Sequence, residues 1–339
     1  MRVAVTGGSG FIGSNLVRHL LAGSSDVEVF NLDSLTYAAD PRNLADVEDD
    51  PRYHFVKLDI TDREAVRRAF AEIRPEGIYH LAAESHVDNS IRGPEQFVLT
   101  NVVGTFNLLE EARQLWGNDA GERFLHVSTD EVYGSLGETG AFSETMAYQP
   151  NSPYSASKAA SDHLARAWHH TYGMNVVTTN CSNNYGPRQH REKLIPTVIS
   201  SAIAGRPIPV YGAGANVRDW LYVGDHCDAL TSIFERGRAG ETYLIGGRNE
   251  WRNLELVREI CRILDEEVGA GPDGGYGSLI TFVTDRLGHD ARYAIDPTKL
   301  ERELGWSAAH SFSDGLRETV RWYLADAPST GSLAAEARA

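Results

Sequence analysis

The chain has 339 residues, of which 42% are hydrophobic and 23% charged. That is enough apolar matter for a full core and, at about 100–200 residues per domain, for roughly two domains. The formal net charge is −15, from 32 basic against 47 acidic residues; with no basic stripe, this argues against nucleic acid as a partner. An anionic ligand must instead meet positive charge gathered locally. No run approaches about 18 uninterrupted apolar residues, so no membrane span is expected. The first residues run straight into a strand and turn, which leaves no room for an export signal. Cys181, Cys227 and Cys261 are too few and too far apart for a disulfide framework or a zinc site. They point to no bound metal and to a reducing, cytoplasmic compartment.

In chain order, short apolar runs alternate with helical periodicity, the signature of βαβ units around a parallel sheet. Strands are predicted over 2–6, 27–32, 53–57, 77–80, 123–127 and 175–180. Helices are predicted over 12–21, 63–71, 102–115 and 155–172, with a later one over 254–264. The pattern loosens from about Cys181, and the small-residue tail over 324–339 is expected to fray. The expected architecture is α/β: a Rossmann-like doubly wound parallel sheet over 1–180 plus about 217–245. A smaller C-terminal α/β substrate domain takes about 181–216 and 246–323. The helices over 102–115 and 155–172 carry apolar residues on more than one face, among them Phe106, Trp116, Leu164 and Trp168. One face can pack on the sheet and the other wants a partner, so a homodimer is expected.

Gly7, Gly10 and Gly13 follow the first strand and open a helix. Glycines so spaced let the backbone turn tightly and approach a pyrophosphate seated on the helix N-terminus. Asp33, about 20 residues on at the end of the second strand, suits the ribose hydroxyls and repels a 2′-phosphate, which favours NAD over NADP. Asp59 ends the third strand and either reaches the adenine side or caps the helix that follows. Tyr154 and Lys158, four apart, share a helix face. An ammonium beside the phenol lowers its pKa from about 10 toward neutrality, so that it can accept a hydroxyl proton.

The glycine set with Tyr154 and Lys158 resembles the extended short-chain dehydrogenase/reductase superfamily. Longer stretches resemble dTDP-glucose 4,6-dehydratases: His80 to Asp88, Ser128 to Gly134, Asn180 to Pro187, Glu192 to Pro196, Asn216 to Trp220 and Asp285 to Tyr293. The discriminating element is Thr129-Asp130-Glu131, because the superfamily's epimerases and decarboxylases lack the Asp-Glu pair. Oxidation at sugar C4 makes the C5 proton acidic, and a carboxylate can remove it. The C6 hydroxyl must leave as water, which calls for a protonated acid. Two carboxyl groups in opposite protonation states meet both needs. Adjacent strand residues face opposite sides, so the chain must already turn at Asp130 for both to reach one sugar.

The resemblance implies a nucleotide-sugar dehydratase using NAD, with Glu131 as base at C5, Asp130 as acid at C6 and Thr129 beside Tyr154 at the C4 oxygen. It places Gly7, Gly10, Phe11, Ile12, Gly13, Asp33, Ser34, Thr36, Asp59, Ile60, Leu81, Ala82, Ala83, Tyr154 and Lys158 around the cofactor. Arg218 and Arg286 would meet the diphosphate, and Asn183 the phosphate–sugar region. Glu192, Lys193, Tyr211 and Asn253 would line sugar or base, with Ser85, His86, Leu194 and Pro209 alongside. His289 and Tyr293 would close the site. Arg191, just before Glu192, departs from the family's smaller or apolar residue. The competing readings are the same reaction on UDP-glucose, a nucleotide-sugar 4-epimerase, and a non-catalytic NAD-binding protein.

Overall fold

The computed structural model describes residues 1–117, 121–285 and 290–326. Strand β1 (Arg2–Thr6) leads into α1 (Phe11–Gly23), followed by β2 (Glu28–Asp33), β3 (Tyr53–Lys57), α2 (Arg63–Ile73) and β4 (Gly77–His80). Two short helices, α3 (Val87–Arg92) and α4 (Pro94–Phe97), precede α5 (Thr105–Trp116). Then come β5 (Arg123–Thr129), α6 (Pro153–Tyr172), β6 (Val176–Cys181) and β7 (Asn183–Tyr185). The rest is α7 (Leu194–Ile203), β8 (Ile208–Tyr211), β9 (Val217–Tyr222), α8 (Val223–Arg236), β10 (Thr242–Ile245), β11 (Glu250–Arg252) and α9 (Asn253–Val268). It ends with β12 (Ile280–Val283), α10 (Thr298–Leu304) and α11 (Phe312–Asp326).

The main sheet has seven strands in the order β10-β6-β5-β4-β1-β2-β3, and every pairing in it is parallel. Its inner strands are buried on both faces; β4 and β6 are buried throughout. The edge strand β3, by contrast, has no fully buried residue. Val3, Val5, Leu125 and Val177 pack on one face with Leu16 and Val17 of α1 and Leu230 and Ile233 of α8. Ala4, Ile78 and Phe124 pack on the other with Phe70 of α2, Leu108 of α5 and Trp168 of α6. Each fully buried Leu, Ile or Phe contributes about 1.5–3 kcal/mol. The order reverses between β1 and β4, so the carboxyl ends of β1, β4 and β5 open on one crevice, where ligands bind in such sheets.

The second half builds its own core from Ile195 and Ile199 of α7, Leu256 and Ile260 of α9, and Leu316 and Val320 of α11. It carries a three-stranded sheet, β11-β9-β7, and a two-stranded one, β12-β8. Residues 217–222, expected with the large sheet, instead form β9 between β7 and β11. The return to the large sheet begins only with α8 and β10.

Two boundaries differ from the sequence reading for physical reasons. Strand β5 runs to Thr129, two residues past the expected end, because Ser128 and Thr129 still pair with Asn180 and Cys181. The helix expected over 102–115 begins with a π-helical turn, Val98–Gly104. There the Asn101 side chain turns inward, accepting from the Glu84 amide at 2.8 Å and donating to the Ser157 hydroxyl at 2.9 Å. Among the described residues no helix is long and apolar enough to cross a membrane. The tail from 327 onward lies outside the described residues.

Candidate active site

The glycine turn is fixed by close approach. Gly7 has φ +71°, and a Cβ on it would sit 2.9 Å from the Ala82 backbone; one on Gly13 would sit 2.1 Å from the Gly7 carbonyl oxygen. Helix α1 starts at Gly10 with no side-chain cap and no acid in its first turn, so its free N–H groups suit an anion. Asp33 is buried beside them, accepting from the Ser9 amide at 2.9 Å and the Leu35 amide at 2.8 Å. Burial raises its pKa against those two bonds, and its remaining lone pairs can still take ribose hydroxyls. Asp59 binds its own turn, through the Thr61 amide and hydroxyl at 2.9 and 2.8 Å. The cap of α2 is Asp62, which accepts from the Ala65 amide. A dinucleotide fits this cradle, and the fifteen cofactor-side residues named from sequence all line one cleft.

At the far end of that cleft, β5 gives way to a 3-10 turn, Asp130–Tyr133, capped by the Thr129 side chain on the Glu131 amide. The turn falls where two adjacent carboxyl groups need it to face one cleft. Thr129 also donates to Oδ1 of Asp130 at 3.3 Å. Asp130 is buried, and its Oδ2 has no hydrogen-bond partner among the described residues. Burial, then the nearby charges of Glu131 and Asp219, hold its carboxyl well above the ordinary range, against the pull of Arg218. Both effects favour the protonated form of Asp130 over that of an exposed aspartate.

Tyr154 and Lys158 come from α6, which opens with a reciprocal Ser152–Ser155 capping box and Pro153 in its first turn. The Lys158 ammonium donates to the Val127 carbonyl at 2.9 Å. The expected fall of the phenol toward neutrality is not seen in the chain alone. Burial, then the charge of Glu131, push Tyr154 well above its usual value, opposed by a hydrogen bond with Thr129.

On the opposite wall, Ser85, Asn183, Glu192 and Lys193 line the cleft, and Lys193 donates to the Ser85 carbonyl at 3.1 Å. Leu194 follows as the first residue of α7. His86 caps α3 and lies 3.7 Å from Glu192, behind the wall. Arg218 is buried, stacks 4.1 Å from the Tyr293 ring and donates to the Asp290 carbonyl at 2.9 Å. The Arg218 charge opposes the rise of the Asp130 pKa, and burial followed by the Glu131 charge raises that of Tyr293. Asn253, whose buried Oδ1 has no partner among the described residues, opens α9, while Pro209 and the exposed Tyr211 lie on β8. These residues stand outside the cleft lining itself. Arg286 and His289 lie outside the described residues. Arg191 is exposed.

Sequence reasoning missed Gln96, Thr100, Gln189 and His190, which also line the cleft. No motif marked them. It also missed the charge of Asp219, which could have been found beside Arg218. Among the described residues no group of His, Cys, Asp and Glu could hold a metal ion.

The family model for GDP-mannose 4,6 dehydratase matches residues 4–319. A probable dTDP-glucose 4,6-dehydratase of Sinorhizobium fredii is 58% identical, covering 96% of this chain and 93% of its own. The dTDP-glucose 4,6-dehydratase of Streptomyces venezuelae, solved with NAD bound, superposes with a TM-score of 0.88 at 50% identity, covering 96% of this chain and 98% of its own. The UDP-glucose 4-epimerase of Thermus thermophilus, also with NAD, has a TM-score of 0.84 but only 32% identity, over 96% of this chain and 99% of its own. The two dehydratases match at 58% and 50% identity against 32% for the epimerase, and the chain belongs to the dTDP-glucose 4,6-dehydratase family.

Proposed function

We propose that this protein is an NAD-dependent hydro-lyase that converts dTDP-glucose into dTDP-4-keto-6-deoxyglucose and water. The observation that carries the proposal is the Asp130–Glu131 pair on a turn into the cleft, one carboxyl buried in surroundings that raise its pKa and its neighbour beside it. An epimerase at C4 has no water to expel and no use for such an acid. When bound, NAD supplies the acceptor for the C4 hydride, a positively charged ring that favours phenolate nearby, and the return of that hydride to C6.

The chain's own groups do the rest. Tyr154 accepts the C4 hydroxyl proton, with Lys158 as its neighbouring cation and Thr129 hydrogen-bonding the C4 oxygen. Glu131 then removes the C5 proton, now α to a ketone. Asp130 delivers its proton to the C6 hydroxyl, which leaves as water, and Glu131 returns its proton to C5 when C6 is reduced. Asp33, the Gly7–Gly13 turn and the residues about Asp59 and Ala82 hold the cofactor. Arg218 and Arg286 hold the diphosphate, Asn183 the phosphate–sugar region and Lys193 the sugar or base, and the second core built on α7, α9 and α11 serves as the nucleotide-sugar domain.

We place the protein in a reducing cytoplasm, supported by three buried free thiols, Cys181, Cys227 and Cys261. We also propose a homodimer. Support comes from Val98, Leu99 and Val103 exposed on the turn before α5, and Tyr172 exposed at the end of α6. Phe106 and Trp168 pack edge to face across the same two helices. Light scattering at micromolar concentration should give twice the chain mass; a monomer removes the dimer.

The test of function is to mix purified protein with dTDP-glucose and follow the product by mass spectrometry, with and without added NAD. Loss of one water is expected. Equal turnover of UDP-glucose sinks the dTDP preference, and a 4-epimer without dehydration sinks the reaction itself.

A further inference from the structure

Lys158 is buried, and its ammonium donates to a neutral carbonyl, that of Val127. An ammonium taken out of water in this way loses its proton unless a negative charge stands near. The groups packed around it come from four elements. His80 on β4 and His126 on β5 lie beneath α6 with ring centroids 5.4 Å apart. Cys181 and Asn180 stand on β6, and Tyr154 and Asp162 share α6 with Lys158.

Both histidines are neutral by their bonding. Thr105 gives its hydroxyl hydrogen to the Asn101 carbonyl at 2.6 Å, so His80 Nε2 must donate to Thr105, at 2.8 Å. His80 Nδ1 is then left to accept from Thr6 at 2.8 Å. His126 Nδ1 has no partner among the described residues, and its Nε2 faces the Asp162 carboxylate at 2.9 Å. Burial lowers the pKa of both rings. The Cys181 thiol is pushed up to about 12 by burial and is neutral too.

That leaves Asp162, one helical turn beyond Lys158 and buried. Its carboxylate is caged by donors: His126 Nε2 at 2.9 Å, Asn180 Nδ2 at 3.0 Å and the Tyr148 hydroxyl at 3.1 Å. Burial alone would raise its pKa, but the bond from His126 and the charge of Lys158 bring it below the ordinary value. The cage has a consequence for the site. Asn180 also donates to the Thr129 carbonyl at 3.1 Å, which links the carboxylate to the strand end before Asp130.

We propose that Asp162 is a positioning residue for the reaction: its buried carboxylate is the counter-ion that keeps Lys158 charged one turn away, and so keeps that charge available to Tyr154. The proposal deepens the reading of Tyr154 and Lys158 given above and rests on it.

The test separates the two. The lysines of the chain are Lys57, Lys158, Lys193 and Lys299, few enough to resolve by NMR of lysine labelled with carbon-13 at Cε. In the NAD-loaded wild type, the signal lost in Lys158→Met identifies Lys158, which should be cationic at neutral pH. A neutral Lys158 there overturns the proposal, and needs no variant at Asp162. In Asp162→Asn the titration midpoint should fall by about one to three pH units; an unchanged midpoint also overturns it. Neither readout needs turnover, so an enzyme inactive on dTDP-glucose sinks the proposed function and leaves this inference to stand or fall alone. With an active enzyme, Asp162→Asn should lower kcat about 10- to 100-fold, with KM nearly unchanged and the alkaline limb of the pH profile moved to lower pH. A uniform loss at every pH would mark Asp162 as structural only.

Discussion

The hydroxyl of Thr129 donates to Oδ1 of Asp130 at 3.3 Å, while Oδ2 of the same carboxyl is buried without a partner among the described residues. One oxygen is thus oriented and the other left for a substrate. Asp130→Asn keeps the shape and removes the proton, so turnover should fall about 100- to 10,000-fold with little change in melting temperature. Because burial and the neighbouring charges raise the folded pKa, the acid form persists to higher pH than in an exposed aspartate and is lost as pH rises further. The alkaline fall in kcat/KM that belongs to this group should be absent from the variant's residual activity.

Glu131→Gln separates the two halves of the reaction. Oxidation at C4 needs Tyr154 and not Glu131, whereas removal of the C5 proton needs the carboxylate. Absorbance of reduced cofactor should rise on adding dTDP-glucose and persist. No reduced cofactor, or full turnover, removes Glu131 from its role.

Asp33→Ala deletes a carboxylate that holds the Ser9 and Leu35 amides as well as the proposed ribose site. Affinity for NAD, measured by calorimetry, should fall about 10-fold or more, since hydrogen bonds to a charged group contribute roughly 1.5–3 kcal/mol. NADP should lose less, because the repulsion from its 2′-phosphate goes at the same time. Unchanged NAD binding refutes the assignment.

His226 supplies a pH test of stability. Burial holds its imidazole down, from 6.5 to about 3, with Nδ1 2.8 Å from Oδ1 of Asn184. The folded state binds this proton more weakly than the unfolded chain. Its contribution is therefore complete above about pH 6.5 and is lost as pH falls toward 3, on the order of 4 kcal/mol at the limit. His226→Gln keeps a donor and abolishes the titration. Denaturant midpoints for the variant should vary less between pH 7 and pH 4 than those of the wild type.

Much of this was legible in the sequence, and the residues say why. Strands β1, β3 and β4 begin and end where their apolar runs do, because each lies in a sheet whose neighbours pair along its whole length. Gly7 and Gly13 stood out because no other residue fits against Ala82 and the Gly7 carbonyl. The turn at Asp130 followed from the need to aim two adjacent carboxyl groups the same way. What escaped depends on partners distant in the chain. The π-helical turn before α5 exists where Gly104 lets Ile60 come close; a Cβ there would meet its side chain at 2.5 Å. Gln96 on α4, Thr100 on the π-helical turn after it and His190 in the loop before α7 reach the cleft only because segments distant in the chain converge on it. Asp162 was visible as the residue four beyond Lys158. Its ionised state depends on Asn180 and Tyr148, which no local pattern connects to it.

The excursion of the chain between β6 and β10 bears on how the protein is made. As it leaves the ribosome, the first half can assemble six strands, yet β6 (Val176–Cys181) keeps one side of its backbone unpaired until Thr242–Ile245 has been synthesised. Its apolar edge is a template for another nascent chain during that interval. Truncation just before β10 should therefore yield aggregates, and the last pairing of the large sheet waits on the translation of the smaller sheet's central strand.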